Sequence, residues 1–203
     1  MRKFIVRFMG WLLGITLCAQ NATEARKILD KTASIVAAKG GASAQFTLTN
    51  KKLGSVSGSL SFKGRMFHAT TPSTLVWYNG KTQWSYVVAN EEVNVTTPSE
   101  AQQLKMNPYH FLHLYKSGYT LDMTEKSTGY WVHLLAQNKQ KSVQEVYILI
   151  HKKSYKPSIV KMRQTNDWTT ITISNFKAKN LPNSTFTFPA KDFPQAEVID
   201  LRK

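Results

Sequence analysis

Residues 77–86, WYNGKTQWSY, place four large aromatic side chains around one tight turn. Asn79-Gly80 is the dipeptide that a two-residue β-hairpin loop prefers, because both central positions need a positive φ. Such a loop pairs Tyr78 with Lys81 and predicts that one face of the hairpin is apolar and the other mostly polar. The apolar face then carries Leu75, Trp77, Thr82, Trp84, Tyr86 and Val88. We name its four large members, Leu75, Trp77, Trp84 and Tyr86, the aromatic plate.

Alternating apolar residues on both sides of the hairpin predict further strands, about ten in all, separated by Gly, Pro and Asn turn signals. A helix precedes them, with Asn21 or Thr23 as its cap and Gly40-Gly41 at its end. Two short helices interrupt the strands, one after Ser99 and one from Asn107 to Gly118. Helices over one face of a long antiparallel sheet indicate an α+β fold, and a sheet of this length tends to curl.

The first residues, MRKFIVRFMGWLLGITLCAQNA, have a basic start, an apolar run and a small or polar end. This pattern is typical of a secretory signal peptide. We expect cleavage after Ala19, so that residues 1–19 are removed and residues 20–203 form a single domain. A lipid-modified Cys18 is the alternative, but Leu17 stands where such sites carry a small residue.

Cleavage removes the only cysteine, which suits an oxidising compartment. It also leaves 24 basic residues against 12 acidic ones, a net charge of +12. An exported protein is not expected to meet nucleic acid, so anionic membrane surfaces or acidic partners are the natural targets of this charge. A basic surface that serves only solubility is an equal alternative.

Catalytic motifs are absent from the sequence: there is no GxSxG, HExxH, GxGxxG or Walker pattern. His110 and His113 are three residues apart on a predicted helix and could face a metal, but two polar positions on an amphipathic helix explain them more simply. The sequence therefore predicts no enzyme, no metal and no cofactor.

The string GSLSFKGRMF from Gly58, followed by LVWYNGKTQWSY and NEEVNV, resembles the periplasmic lipoprotein carrier family LolA. That family shows a similar G-x-L-x-(apolar)-K, then an apolar run into D/N-G-K-x-x-W-x-Y. The later stretches NPYHFLHLYKSG and YKPSIVKMRQTNDWTTITISNF also look like the family's later parts. The order and spacing of these motifs cover nearly the whole chain after the leader.

The resemblance implies a curved, incompletely closed antiparallel β-barrel of about 10–11 strands, with a three-helix lid over a hydrophobic cavity. Such a protein shields the acyl chains of lipoproteins in the periplasm, between an inner-membrane release complex and an outer-membrane acceptor, and we expect a monomer. The expected cavity residues are Phe46, Leu60, Phe62, Leu75, Trp77, Trp84, Tyr86, Val146, Ile148, Met162 and Ile171. The expected lid residues are Leu104, Phe111, Leu112, Tyr115 and Arg65, and Phe67 is the expected partner contact.

One position departs from the family pattern. Gly64 intervenes before Arg65, where well-known members carry an Arg directly after the Lys, so control of the lid is expected to differ. Two other functions stay open. The first is a carrier or sensor for another acyl ligand, and the second is an unrecognised secreted hydrolase, which would turn over acyl esters.

Overall fold

The computed structural model describes residues 6–37, 39–52, 54–99, 102 and 114–202, with side chains from residue 20 onward. Within this part of the chain there is one α-helix, α1 (Val6–Val36), and there are twelve β-strands. The strands are β1 (Ala42–Asn50), β2 (Gly54–Lys63), β3 (Met66–Thr70), β4 (Thr74–Tyr78), β5 (Gln83–Val87), β6 (Glu92–Thr96), β7 (Tyr119–Lys126), β8 (Gly129–Ala136), β9 (Glu145–Ile150), β10 (Pro157–Gln164), β11 (Asp167–Ala178) and β12 (Glu197–Asp200).

All twelve strands form one sheet in the order β12-β6-β5-β4-β3-β2-β1-β11-β10-β9-β8-β7. Neighbouring strands are antiparallel except β12, which lies parallel to β6. The two edge strands, β12 and β7, come from different parts of the chain and are not neighbours in this order. An open antiparallel sheet agrees with the predicted unclosed architecture.

The helical content and the strand count differ from the expectation. The described residues contain one α-helix rather than three, and most of residues 99–118, where two helices were predicted, lie outside them. Leu114–Lys116 forms a short 3₁₀ helix at the end of that region. The strand that the sequence did not predict is β12, a four-residue segment in the C-terminal tail.

Helix α1 buries the residues that its apolar periodicity selects. Ala25, Leu29 and Val36 are at most 5% exposed, as the spacing predicts for a helix packed on a sheet. The predicted cap is wrong, because the helix begins at Val6 and passes through Asn21 and Thr23 without a break. Residues 6–20 contain no proline that would end a helix ahead of these residues.

The central hairpin has a longer loop than the Asn79-Gly80 signal predicts. Tyr78 pairs with Gln83 instead of Lys81, so the loop spans four residues. The Asn79 side chain causes this, since its Oδ1 accepts hydrogen bonds from the backbone N–H groups of Lys81 (3.0 Å) and Thr82 (2.9 Å). The register slips by two residues, and each side chain therefore keeps its predicted face.

Gly64 is explained by the turn between β2 and β3. Lys63 pairs with Met66, which leaves Gly64 and Arg65 as a two-residue loop. Gly64 has a φ of 57°, and a loop with a positive φ at its first central position selects glycine. The departure from the family pattern is therefore a local requirement of this hairpin.

No helix among the described residues combines the length and the hydropathy needed to cross a bilayer.

Candidate functional site

Helix α1 covers one face of the sheet, which we name the inner face. Ile28 packs in a buried cluster with Val146 and other residues of β7–β10. Further along the helix, Val36 packs in a second buried cluster with Phe62 and other residues of β1–β4. The opposite surface of the sheet is the outer face.

Between these two clusters the inner face is only partly covered. Leu48 of β1 lies in register with Ile171 of β11 on one side and with Val56 of β2 on the other. Phe46 lies beside Ile173 in the next inner-facing row. All of these side chains keep partial solvent exposure. We name this group the central stripe: Phe46, Leu48, Val56, Ile171 and Ile173.

Gly58 stands opposite Phe46 and leaves room for its ring. A Cβ atom at position 58 would lie 2.8 Å from Phe46 Cζ and 2.1 Å from the Thr70 carbonyl oxygen. Both distances are shorter than van der Waals contact, so a larger residue would displace the ring or strand β3. The glycine therefore holds the Phe46 ring in the central stripe.

A β-bulge in β11 adds Phe176 to the inner face. One extra residue of β11 lies opposite the stretch 43–45 of β1, and Asn175 there has a φ of 52°. Strict alternation from Ile173 would send Phe176 to the outer face. Instead its ring lies 6.2 Å from that of Phe62, between centroids. The bulge thus joins β11 to the second inner cluster.

The predicted cavity residues divide between the two faces. Seven lie on the inner face, in the central stripe or in the clusters below α1: Phe46, Leu60, Phe62, Val146, Ile148, Met162 and Ile171. The four residues of the aromatic plate lie on the outer face, because Trp77 is adjacent to Tyr78, which packs in the inner cluster. The expectation of one cavity lined by all eleven is therefore wrong, since the backbone of the sheet separates the two groups.

The C-terminal segment covers the aromatic plate. The Phe193 ring lies 5.7 Å from that of Trp77 and 4.7 Å from that of Tyr86, and the Phe188 ring lies 5.3 Å from that of Trp77. Trp77 is consequently only 4% exposed. Its ring is packed by aromatic side chains of the same chain. Any contact of the plate with a ligand stays a prediction.

Two of the predicted lid residues are described. Tyr115 is buried, and its hydroxyl donates a hydrogen bond to Asp30 Oδ1 of α1 at 2.5 Å. Arg65 is exposed in the β2–β3 turn. Burial raises the pKa of Tyr78, and the charge of Arg65 partly offsets that rise. The remaining lid residues, Leu104, Phe111 and Leu112, lie outside the described residues, as do His110 and His113.

Phe67 is a core residue. It is 2% exposed, and its ring lies 5.6 Å from that of Tyr78. The side chain points into the second cluster below α1, and a partner contact at this position stays a prediction.

Several residues of this region were not among the predicted site residues. Leu48, Val56 and Ile173 share the inner face with predicted positions, and the alternation of their strands would have selected them. Thr32 is a polar residue of α1, and no sequence pattern marked it as a site residue. Its hydroxyl is fully buried on α1 between the two clusters and is the one buried side-chain polar atom of the described residues without a hydrogen-bond partner.

The chemistry of the central stripe is that of an apolar surface. Its five side chains carry no titratable or nucleophilic group, so they can hold hydrocarbon but cannot transfer a proton. Among the described residues, no group of three or more His, Cys, Asp or Glu side chains could hold a metal ion.

An open antiparallel sheet with a helix packed across one apolar face defines the fold class of this chain. Residues 15–166 match the family described as outer membrane lipoprotein carrier protein LolA, and the chain belongs to this family. Members of this family are periplasmic binding or carrier proteins rather than enzymes. No curated protein matches the sequence at a significant level.

Some solved structures are similar to this chain at low sequence identity. An uncharacterized conserved protein from Thermus thermophilus is 13% identical, with a TM-score of 0.58, over 87% of this chain and 99% of that chain. A LolA superfamily protein from Nitrosomonas europaea is 10% identical, with a TM-score of 0.45, over 81% and 97%. LprF from Mycobacterium bovis is 11% identical, with a TM-score of 0.46, over 80% and 98%. At these identities the likeness concerns the fold alone.

Proposed function

We propose that this chain is a periplasmic chaperone that holds the acyl chains of lipoproteins against its inner face and carries them from the inner to the outer membrane. The central stripe is the observation that supports the proposal most directly. Five apolar side chains remain partly exposed there, next to two well-packed clusters, in a chain of the LolA family. An incompletely covered apolar surface is what a bound acyl chain would complete.

The energy of acyl transfer explains why such a carrier is needed. Three long acyl chains expose roughly 40 methylenes, which cost on the order of 30 kcal/mol in water at about 0.8 kcal/mol each. A lipoprotein therefore needs an apolar surface in transit. Transfer itself needs no catalytic group. It needs only a carrier whose affinity for the acyl chains lies between the affinities of the donor and the acceptor.

The proposed partners follow from the family. They are acylated lipoproteins, an inner-membrane release complex that loads the carrier, an outer-membrane acceptor, and, transiently, an anionic membrane surface. The carrier acts as a monomer without a cofactor. A related candidate is a binding protein or sensor for another acyl lipid, which would use the same stripe.

Processing after Ala19 is part of the proposal. Gln20 and Asn21 are exposed. Ala25 is the first residue of α1 in the buried cluster that the helix forms with β7–β10. A helix that begins at Gln20 therefore keeps those cluster contacts. Mass analysis of the exported protein should give an unlipidated N-terminus at Gln20, whereas a diacylglyceryl group on Cys18 would contradict this.

The central experiment compares one carboxylate placed on each face. Phe46→Glu places a charge in the central stripe, and Trp84→Glu places the same charge on the partly exposed outer plate. Hydrocarbon cannot cover an unpaired carboxylate without a large cost. We expect Phe46→Glu to lose binding of a fluorescent acyl probe and Trp84→Glu to keep it, with cooperative thermal melts for both. Binding lost only in Trp84→Glu would move the site to the outer face and contradict the proposal.

The cargo is identified separately. The processed protein is purified by affinity from its own periplasm, and the co-purifying molecules are analysed by mass. Acylated lipoproteins are expected. Free lipids instead would favour the acyl-lipid binding protein or sensor.

A further inference from the structure

Twelve side chains of β8–β11 form a regular grid on the outer face. Cross-strand register arranges them in three rows, each with one residue from every strand. We name this grid the outer patch. Its rows are Trp131, Leu149, Ile159 and Thr172; His133, Tyr147, Lys161 and Thr170; and Leu135, Glu145, Arg163 and Trp168.

Half of the outer patch is apolar or aromatic and remains accessible to solvent. Leu135 is 44% exposed. The other five such side chains, Trp131, Tyr147, Leu149, Ile159 and Trp168, are partly exposed. A contiguous apolar surface of this kind usually marks an interaction site.

The rest of the outer face shows that this composition is not a general property of the sheet. On β1 and β2 the outer positions are all polar: Ser43, Gln45, Thr47 and Thr49 face Ser61, Ser59, Ser57 and Ser55. On β4 and β5 the apolar aromatic plate is packed under Phe188 and Phe193. The outer patch differs from β1 and β2 in being half apolar. It differs from the plate because all six of its large apolar side chains keep solvent exposure, whereas Trp77 of the plate is 4% exposed.

The polar members of the outer patch leave it with a positive charge. Arg163 donates two hydrogen bonds to Glu145 Oε2, from Nε (3.1 Å) and Nη2 (2.8 Å), and the Tyr147 hydroxyl donates to Oε1 at 2.9 Å. Burial alone would raise the pKa of Glu145, but these bonds together with that of His133 outweigh it and lower the pKa. Glu145 thus stays ionised and balances Arg163. Lys161, with its Nζ 5.1 Å from the Trp168 ring centroid, carries the excess charge.

Further lysines border the row that contains Trp168. The β1–β2 turn and the β8–β9 loop lie at the same end of the sheet as that row, as the register of β8, β9, β10, β11 and β1 requires. Their exposed basic residues are Lys51, Lys52 and Lys139. Lys141 is not one of them, because its Nζ lies 4.7 Å from the ring centroid of Tyr119, a residue of the inner face. Lys52 pairs with Asp167 at 2.5 Å. We name these three exposed lysines the basic rim. The whole chain has a net charge of +15.

We propose that the outer patch docks on an anionic phospholipid bilayer, with Leu135 and Trp168 at the lipid–water boundary and the basic rim over the headgroups. Trp and Tyr side chains favour that boundary, and lysine side chains are attracted to anionic lipid. This inference rests on the proposed carrier function for its purpose, because a carrier must approach a membrane to be loaded. The inference also places the membrane contact on the outer face, opposite the central stripe, so that docking leaves the central stripe free.

Two matched pairs of variants test the docking surface. Lys161→Gln removes a charge from the outer patch, and Lys81→Gln removes one from the exposed β4–β5 loop. Leu135→Ser removes an apolar contact from the patch, and Val198→Ser does so at β12, where Val198 is 56% exposed. The processed protein is co-sedimented with phosphatidylcholine vesicles, with or without phosphatidylglycerol, and acyl-probe binding is measured in parallel.

Wild-type protein is expected to bind only the vesicles with phosphatidylglycerol, and more weakly as salt rises. Lys161→Gln should bind about five-fold more weakly, the effect of about 1 kcal/mol per basic residue near an anionic surface. Leu135→Ser should also bind more weakly, and both controls should match the wild type. Equal losses in Lys161→Gln and Lys81→Gln, or no vesicle binding by the wild type, would overturn the docking surface. Patch-specific vesicle binding without acyl-probe binding would refute the carrier function alone.

Discussion

The rings of Trp77 and Phe193 meet edge to face, with centroids 5.7 Å apart and planes at 78°. This contact joins the middle of the sheet to the C-terminal segment, which also contributes Phe188 and the parallel strand β12. The protein therefore has a small aromatic core on its outer face, separate from the two clusters below α1. The aromatic plate contributes to stability at this place, and the central stripe is the surface proposed for the ligand.

Truncating Phe193 should reduce stability without affecting ligand binding. Replacing a fully buried Phe by Ala lowers the free energy of unfolding by about 3–5 kcal/mol. Because Phe193 is partly exposed, we expect Phe193→Ala to lower it by about 2 kcal/mol. Val198→Ala, at an exposed position of β12, should change it by less than about 0.5 kcal/mol. Denaturant unfolding and acyl-probe binding are measured on both. A loss of probe affinity in folded Phe193→Ala would place the ligand on the outer face.

Gly58→Ala should disturb the central stripe. The added Cβ would overlap the Phe46 ring and the Thr70 carbonyl, so we expect a loss of about 1–3 kcal/mol and weaker acyl-probe binding. Gly54→Ala is the control, because its φ is 70° but no atom lies within 4 Å of the new Cβ. That change should cost about 1–2 kcal/mol through backbone strain alone and leave probe binding unchanged. Identical probe affinities for the two variants would show that Phe46 does not contact the ligand.

Thr32→Val should stabilise the protein. The Thr32 hydroxyl is buried on α1 without a hydrogen-bond partner, and valine has nearly the same shape without the polar atom. Removing a buried unsatisfied hydroxyl should raise the free energy of unfolding by about 1 kcal/mol. Thr32→Ser, which keeps the buried hydroxyl, is the control and should not raise the free energy of unfolding. A destabilised Thr32→Val would mean that the hydroxyl has a partner in solution.

His68 should make stability depend on pH. Burial lowers its pKa from the ordinary 6.5, and the hydrogen bond of Nδ1 with the Val76 carbonyl only partly offsets this. Below pH 6.5 the unfolded chain therefore binds more protons at this position than the folded chain. The free energy of unfolding contributed by His68 is present above that pH and is lost as the pH falls through it. The ring also stacks on Trp77, with centroids 4.8 Å apart.

Denaturant unfolding of the wild type and of His68→Gln at pH 7.5 and pH 5.5 measures this effect. The wild type should lose more stability than the variant between the two pH values, and the difference cancels the contributions of the other histidines. Parallel losses would show that His68 titrates alike in both states.

Sequence alone determined the local structure of this protein. The alternation of apolar residues in each strand, the helical spacing of Ala25, Leu29 and Val36, and the motif order that leads to the LolA family were all readable without coordinates. These features depend on neighbouring residues only. Within the hairpin even a wrong loop length kept each side chain on its predicted face, because the register slipped by an even number of residues.

Tertiary structure decided which face lies below α1 and carries the partly exposed central stripe, and which face is covered by the C-terminal segment. Trp77 and Tyr78 are both large and aromatic, and alternation states only that they point in opposite directions. Their assignment depends on where α1 packs and on where the C-terminal segment returns, since Tyr78 joins the inner cluster and Trp77 meets Phe193. Those contacts join residues far apart in the sequence, so no local pattern encodes them. The same physical reason applies to β12, whose pairing with β6 forms only after the chain has returned across the sheet.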